Sequence, residues 1–175
     1  MKPLAALTPD EIAPLLAASV AAMRAEVRAL GEGARWQPAE GEWSVNECLG
    51  HLIEADRRGF AGRIREILSG DQVVLTRWDP PVVAAARHDN DADPIELVEA
   101  FAAQRSEGIA LVRSLSAADL AMVGTHPEIG PLRVDEILAE WPHHDRSHVR
   151  QALAVTQARV WAQMGATQRF SEPAG

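Results

Sequence analysis

The chain has 175 residues, enough for one domain with a single hydrophobic core. A formal net charge of -8 and dispersed arginines argue against a nucleic-acid partner, because binding a phosphate backbone needs a concentrated positive surface. The lone cysteine, Cys48, excludes an intrachain disulfide and a cysteine-based zinc site. No apolar stretch approaches the length of a membrane span and the first residues do not resemble a secretory signal, so we expect a cytoplasmic protein with no membrane partner.

The first two helices are predicted by capping boxes that precede apolar residues at helical spacing. Residues 8–11, Thr-Pro-Asp-Glu, are typical of a helix start, and the glycines at 31 and 33 should end this helix. Residues 44–47, Ser-Val-Asn-Glu, begin a second helix that we expect to reach residues 69–70. The residues expected to face inward along these two helices are Ile12, Leu15, Leu16, Val20, Met23, Val27, Leu30, Cys48, Leu49, Leu52, Ile53, Ile64, Ile67 and Leu68.

A long connection and a third helix follow. Residues 71–92 show no helical period and predict a crossover loop, in which Trp78 either covers a pocket or plugs one end of the bundle. Asp93 and Pro94 are typical of the start of a third helix. Its apolar stripe is predicted to consist of Ile95, Val98, Phe101, Ile109, Val112 and Leu115, with Arg105 beside it. A short helical turn is expected at 116–119 and a loop at 124–131.

The last helix is predicted from residue 134 to about residue 165. Pro142 lacks a backbone donor and should kink this helix or split it in two. Together the elements predict an all-α four-helix bundle with a long crossover between helix 2 and helix 3. We expect one domain over residues 1–165 and a frayed tail over 166–175.

Two histidines in the last helix point to metal chemistry. His144 and His148 lie four residues apart, on a face shared with Trp141, so they should project inward while His143 faces outward. Neutral imidazole is a good ligand for zinc, nickel, copper or iron. The alternative is a pair of half-buried histidines that only make hydrogen bonds. His51 in helix 2 is the candidate for a third ligand.

Three groups of residues together resemble the DinB/YfiT-like superfamily of bacterial four-helix bundles. They are Trp43-Ser44 with Glu47 and His51-Leu52, then the segment 126–132, and finally Trp141 with His144-Asp145, His148 and Gln151. The resemblance covers nearly the whole chain and implies a nickel or zinc ion held by His51, His144 and His148, with one coordination position left open. Arg133 departs from the pattern, since relatives usually have Ser or Thr there, and so does Pro142.

The resemblance also implies a function. Characterised members of the family include transferases and isomerases in which the metal binds and activates a low-molecular-weight thiol, so we expect such an enzyme, acting on an electrophilic small molecule. One alternative is a metal-dependent hydrolase, which needs a general base that the sequence does not reveal. Another is a non-catalytic, stress-associated homodimer that acts through protein association. Further candidates for the pocket or for orienting the ligands are Trp78, Arg105, Trp141, Asp145 and Gln151, although Asp145 is expected to contact solvent or another helix.

Overall fold

The computed structural model describes residues 6–171. Helix α1 (Pro9–Leu30) is followed by a 3-10 turn (Gly31–Arg35), and α2 (Val45–Glu54) continues through a π-helical segment (Ala55–Phe60) into α3 (Ala61–Leu68). The crossover contains α4 (Pro80–Arg87) and a 3-10 turn (Asp89–Asp91), and leads to α5 (Pro94–Ser114). The remaining elements are α6 (Ala117–Leu120), strands β1 (Val123–His126) and β2 (Gly130–Arg133), α7 (Val134–Trp161) and a 3-10 turn (Gly165–Phe170).

Four long helical elements, α1, α2 with α3, α5 and α7, form the bundle. Helix α1 packs against α5 and α7, and α2 packs against the same two helices. The predicted all-α four-helix bundle with a long crossover is therefore confirmed. No helix in the described part of the chain is both long and apolar enough to cross a lipid bilayer. Residues 1–5 and 172–175, which include the end of the expected tail, lie outside the described residues.

The predicted capping boxes begin α1 and α2. The Thr8 hydroxyl accepts the Glu11 N–H at 3.3 Å, and the Glu11 carboxylate accepts the Thr8 N–H at 2.9 Å. The corresponding Ser44 and Glu47 distances are 3.1 and 2.8 Å. Because each box satisfies donors that the first turn leaves without intrahelical partners, it fixes where the helix begins. In α2 this start sets the position of His51 along the bundle.

The crossover contains a helix where the sequence predicted only a loop. Asp79 caps α4 by accepting the N–H of Val82 at 3.2 Å, and Pro80 occupies the first helical position. None of the residues of α4 is buried, and its eight residues are too few to show a sustained apolar period that would identify the helix. The expectation that residues 71–92 lack regular structure was wrong for this segment.

The predicted loop at 124–131 is also regular structure. Strands β1 and β2 form an antiparallel hairpin in which Val123 pairs with Arg133 and His126 with Gly130. Thr125 extends the contacts to the crossover, since its N–H binds the Val73 carbonyl at 2.8 Å and its carbonyl accepts the Leu75 N–H at 2.9 Å. The hairpin therefore ties the second connection of the bundle to the third.

Pro142 does not divide the last helix, which runs unbroken from Val134 to Trp161. A proline inside a helix removes one N–H donor and costs about 3 kcal/mol. Here Pro142 is buried between Trp141 and Asp145, which are also buried, and the packing of this face offsets the missing hydrogen bond. Of the two expected effects of Pro142, a kink or a split, the split was wrong.

The buried stripe of α5 differs from the prediction at its beginning. Ile95 is 47% exposed, whereas Leu97 is 7% exposed. The face that packs inward contains Val98, Phe101 and Arg105, and four residues before Val98 it continues to Pro94, which is buried, so that Ile95 lies outside it. The predicted inward residues Leu15, Leu30, Leu68, Ile109 and Leu115 are only partly buried, at the edges of their helices.

The core consists of two apolar clusters along the bundle. One cluster includes Val27, Leu49, Phe101 and Val155. The other includes Leu16, Ile64, Val112 and Trp141. Between them lie the fully buried charges of Arg105, Asp56 and Asp145, which α5, the π-helical segment and α7 contribute at the points where each passes from one cluster to the other.

Candidate metal centre

His51, His144 and His148 bring their rings together at the middle of the bundle. One ring nitrogen from each lies within 4.8 Å of those of the other two, and Nε2 of His51 is 3.0 Å from Nε2 of His144. His51 is buried and the other two rings are half-buried. Tetrahedral ligands about 2.1 Å from a zinc ion are separated by about 3.4 Å, so three such nitrogens fit around one ion after small adjustments.

The surroundings keep these imidazoles neutral. Burial, reinforced by the neighbouring His148 and His144, lowers the pKa of His51 to about 3. Burial, with further contributions from His148 and Arg105, lowers the pKa of His144 to about 4. The pKa of His148 is also lowered by burial. A neutral ring keeps the lone pair that a transition metal needs, so at neutral pH all three residues are in their ligand form.

Gln151 orients His148. Its side-chain oxygen lies 3.1 Å from Nδ1 of His148. An amide oxygen can only accept, so Nδ1 carries the proton and Nε2 keeps the lone pair. In His144, Nε2 faces His51, while Nδ1 is buried without a hydrogen-bond partner in the described part of the chain. These donor sets fit a divalent ion bound through Nε2 atoms, with a ring orientation already fixed for His148.

Three aromatic side chains surround the imidazoles. Trp43 stacks on His148 with 5.8 Å between ring centroids, and Trp78 stacks on His51 at 6.3 Å. Phe60 meets His144 edge-on at 5.1 Å. Trp78 also lines the cavity that opens on His51. Such walls restrict water and fix the rings of potential ligands.

A cavity of about 260 Å³ opens on His51 and His144. Its remaining walls are formed by Ala55, Gly59, Phe60, Arg63, Arg77, Trp78, Pro80, His126, Glu128 and Glu140. Arg63, Arg77 and Glu140 were not predicted as site residues, and His126 was noted only within the family motif. The cavity forms where the hairpin and the crossover cover α3, and this arrangement depends on contacts between distant segments that no local pattern reports.

The predicted residues Arg105, Asp145 and Trp141 form a buried ionic layer next to the histidines. Arg105 donates to Asp56 through Nε at 2.7 Å and Nη2 at 2.8 Å, and it also binds Asp145 through Nη1 and Nη2. Trp141 Nε1 donates to Asp56 at 2.8 Å. Asp145 is thus an inter-helix partner, as expected, and makes no hydrogen bond to an imidazole.

The charges of this layer balance each other. Burial alone would lower the pKa of Arg105, but the carboxylates of Asp145 and Asp56 raise it above its ordinary value. Burial raises the pKa of Asp56 to about 6, against the opposing effect of Arg105. At neutral pH both groups are therefore charged and paired. They position α7 relative to the π-helical segment, and with it the two histidines of α7.

Cys48 and Glu47, the other reactive side chains near His51 in sequence, do not join the site. Cys48 is fully buried, and burial raises the pKa of its thiol to about 12, so it is not a nucleophile. Glu47 is engaged in the capping box of α2 and also accepts the amide of Gln37 at 2.9 Å. The site therefore provides ligands but no activated protein nucleophile from this segment.

Comparisons with known proteins agree with this architecture. Residues 15–152 match the family model of the DinB superfamily. No curated protein sequence matches the chain. YfiT from Bacillus subtilis, described as a probable metal-dependent hydrolase with an unusual four-helix bundle topology, is similar in structure, with a TM-score of 0.79 at 16% identity over 92% of this chain and 94% of that one.

Two further structures share the fold. The mycothiol-dependent maleylpyruvate isomerase has a TM-score of 0.66 at 11% identity, and the match covers 83% of this chain but 61% of the isomerase. A histidine-to-alanine variant described in the same terms has a TM-score of 0.65 at 11% identity, over 91% of this chain and 73% of the variant. At such low identities these likenesses concern the fold, whereas the family model spans most of the chain. The chain belongs to the DinB superfamily.

Proposed function

We propose that this protein is a metal-dependent enzyme whose divalent ion, nickel or zinc, is held by His51, His144 and His148. The proposed reaction is a transfer or isomerisation of an electrophilic small molecule with the help of a low-molecular-weight thiol. The observation that carries the proposal is the convergence of three neutral imidazoles beside a cavity. Its support from relatives is that one structural neighbour is described as a probable metal-dependent hydrolase and another as a mycothiol-dependent isomerase.

Within this proposal, the protein and the ion have separate tasks. The ion would lower the pKa of a bound thiol or water and so supply the nucleophile that the chain lacks. Gln151 holds His148 in the tautomer that leaves Nε2 free, and Trp43 and Trp78 shield the rings from water. Ligand pockets usually have volumes of roughly 300–1,000 Å³, and this cavity is slightly smaller, so we expect a small substrate.

The position of Glu140 favours hydrolysis as a second candidate function. Glu140 lines the same cavity as His144, near Arg63 but without a salt bridge to it within residues 6–171. A free carboxylate in this position is a candidate general base that takes a proton from an attacking water. The sequence did not reveal this group, and the description of YfiT as a probable hydrolase is in keeping with it.

Protein association without catalysis is the remaining alternative. It predicts a bundle centre filled by side chains, with no space beside the histidines. The cavity that reaches His51 and His144 supports chemistry instead.

Metal binding tests the shared part of these proposals. We expect the purified protein to bind one equivalent of zinc or nickel, measured by elemental analysis and calorimetric titration. The His51→Ala variant should bind at least about tenfold more weakly, whereas His143→Ala, which removes an exposed histidine next to His144, should bind like the wild type. Unchanged affinity in His51→Ala, or no binding by the wild type, contradicts the proposal.

Activity assays separate the two reactions. The metal-loaded protein is mixed with a chromogenic electrophile and a series of cellular thiols, and separately with chromogenic esters and amides. A thiol transferase should retain its rate in Glu140→Gln, whereas a hydrolase that uses Glu140 as base should lose about 100-fold or more.

A further inference from the structure

Arg63, on α3, has no partner for its charge although it lines the cavity beside the candidate metal centre. Its Nε is buried without a hydrogen-bond acceptor, and it forms no salt bridge within residues 6–171. The only polar contact of its guanidinium there is between Nη2 and the ring of His126, at 3.1 Å. A half-buried guanidinium with an unmet donor is the kind of group that a ligand oxygen completes.

Three other arginines of this chain show how the edge of the guanidinium formed by Nε and Nη2 binds a carboxylate. In each of them Nε and Nη2 together bind one carboxylate, in the pairs Arg105 with Asp56, Arg24 with Glu99 and Arg133 with Asp135. This side-on arrangement is the bidentate geometry in which arginine binds a carboxylate. In Arg63 the same edge binds no carboxylate: Nε is covered and has no partner, and Nη2 is directed at an imidazole instead of an anion.

The contact between Arg63 and His126 brings two donors together. Nδ1 of His126 lies 3.2 Å from the N–H of Glu128 and 3.4 Å from the N–H of Ile129. A backbone N–H can only donate, so Nδ1 carries the lone pair and the proton of the neutral ring lies on Nε2. Nε2 then presents N–H to Nη2 of Arg63, which is also N–H. In the opposite tautomer the proton would lie on Nδ1 and would face the N–H groups of Glu128 and Ile129. In either tautomer two donors face each other, and an oxygen acceptor is missing.

We propose that Arg63 and His126 form the subsite for a carboxylate of the small molecule that reacts at the candidate metal centre. Both residues line the same cavity as His51 and His144, which places the subsite next to the metal ligands. The carboxylate would accept from the Arg63 guanidinium and from Nε2 of His126. Nε of Arg63 is covered in this structure, so the proposal requires the guanidinium to turn toward the cavity when the ligand binds. The assignment of the subsite to the reaction rests on the proposed function, whereas binding of an anion does not.

Of the two arginines that line the cavity, Arg77 is paired with a carboxylate and Arg63 is not. Arg77 is exposed and forms a salt bridge with Glu128 at 3.0 Å. Burial lowers the pKa of Arg63, and the nearby carboxylates of Glu140 and Glu66 oppose this effect only in part. These two carboxylates lie near the guanidinium but neither forms a salt bridge with it. A ligand carboxylate would form the salt bridge with Arg63 that Glu140 and Glu66 do not form.

Calorimetric binding of succinate to the metal-free and zinc-loaded protein tests the subsite. Succinamide, which has the same shape without the charge, should not bind. We expect Arg63→Gln to weaken succinate binding at least about tenfold. Arg65→Gln, the matched control, removes an equal charge from an exposed position of the same helix outside the cavity, and should change binding by less than about threefold. Circular dichroism verifies that each variant is folded.

Two thiols show which molecule carries the carboxylate. N-acetylcysteine has a carboxylate and cysteamine has none. If Arg63→Gln weakens the binding of succinate, the subsite belongs to the substrate. If it weakens only the binding of N-acetylcysteine, and cysteamine binds as before, the subsite holds the carboxylate of the thiol. Equal binding of both carboxylates by the wild type and Arg63→Gln overturns the proposal, even when zinc binds normally. If the wild type binds no zinc and Arg63→Gln binds carboxylates as well as the wild type does, both proposals are refuted. If the wild type binds no zinc but Arg63→Gln still weakens carboxylate binding, only the proposed function is refuted.

The tautomer of His126 provides a readout that does not depend on activity. Long-range proton–nitrogen NMR correlations distinguish the protonated from the unprotonated ring nitrogen. We expect the proton on Nε2, and a change in the Nε2 shift when succinate is added but not when succinamide is added. A proton on Nδ1 that is unaffected by succinate contradicts the subsite.

Discussion

At the residue scale, Gln151 affects the candidate centre without being a ligand. Its oxygen accepts from Nδ1 of His148 and so fixes both the tautomer and the orientation of that ring. Groups that orient a metal-binding histidine in this way typically change metal affinity by about 10- to 100-fold when they are removed.

We therefore expect Gln151→Ala to weaken zinc binding by about 10- to 100-fold, because the His148 ring becomes free to rotate. Gln157→Ala serves as the matched control, since Gln157 is an exposed glutamine on the same helix. Competition with a chromophoric chelator measures both affinities. Equal affinities for the two variants would show that His148 is held by its packing against Trp43 and not by the amide.

The lowered pKa values of the histidines predict how metal affinity depends on pH. His51 and His144, with pKa values of about 3 and 4, remain neutral as the pH falls from 7.5 to 5.5, and protons begin to compete only near pH 4. Three imidazoles with the ordinary pKa of about 6.5 would lose about tenfold each at pH 5.5. We expect a total loss of less than about tenfold, measured by chelator competition at each pH. A thousandfold loss would show that the rings are solvated in the metal-free protein.

The candidate site was only partly predictable from its residues. Two local signals identified the histidines. The four-residue spacing of His144 and His148 places both on the inward face of α7, and the capping box of α2 fixes the start of the helix that carries His51. Arg63, His126 and Glu140 carry no comparable signal. They share a cavity only because a hairpin and a crossover cover α3, and such contacts between distant segments cannot be inferred from spacing along a helix.

At the element scale, the crossover depends on a close approach to α2. A Cβ atom at Gly50 would lie 1.7 Å from Oδ2 of Asp89, so only glycine allows this contact. Asn46 strengthens the same contact by donating to the carbonyls of Asp89 and Ala92 at 3.0 and 3.1 Å. Gly50 directly precedes His51, and this docking therefore holds the crossover beside the candidate centre.

Gly50→Ala should lower the free energy of unfolding by about 1–3 kcal/mol, because the added methyl group displaces Asp89. Hydrogen exchange should become faster at residues 87–92, and urea unfolding measures the loss of stability. Gly70→Ala is the control, since a Cβ there meets no atom within 4 Å and the effect should stay within about 1 kcal/mol. A stable Gly50→Ala protein with unchanged exchange would mean that the crossover adjusts without loss.

The elements that escaped prediction share physical reasons. Helix α4 has only eight residues and buries none of them, so it is too short to show a sustained apolar period, and only the Asp79 cap and Pro80 mark its start. The π-helical segment Ala55–Phe60 is a change of hydrogen-bond register inside a continuous helix, and composition does not mark it. The capped, amphipathic α1 and α2 were predicted because local and tertiary preferences agree there.

At the scale of the whole molecule, one buried charge layer joins three bundle elements. Arg105 of α5 binds Asp56 of the π-helical segment and Asp145 of α7, and its Nη1 also donates to the Leu16 carbonyl of α1 at 3.1 Å. All four long elements therefore meet at one guanidinium between two apolar clusters. Buried ion pairs of this kind contribute little net stability over apolar residues, but breaking one leaves uncompensated charges.

Arg105→Met should lower the free energy of unfolding by about 3–5 kcal/mol, because Asp56 and Asp145 then remain buried without a cation. Adding Asp56→Leu and Asp145→Leu should recover part of this loss, since no buried carboxylate is then left without a cation, although Trp141 Nε1 loses its acceptor. Urea unfolding measures each variant, and Arg113→Met, an exposed change on the same helix, should stay within about 0.5 kcal/mol of the wild type. If the triple variant is stable but no longer binds zinc, the layer serves to align α7 with α2 at the histidines. If the single variant is as stable as the wild type, the charges are not buried in solution and the two clusters are not separated by an ionic layer.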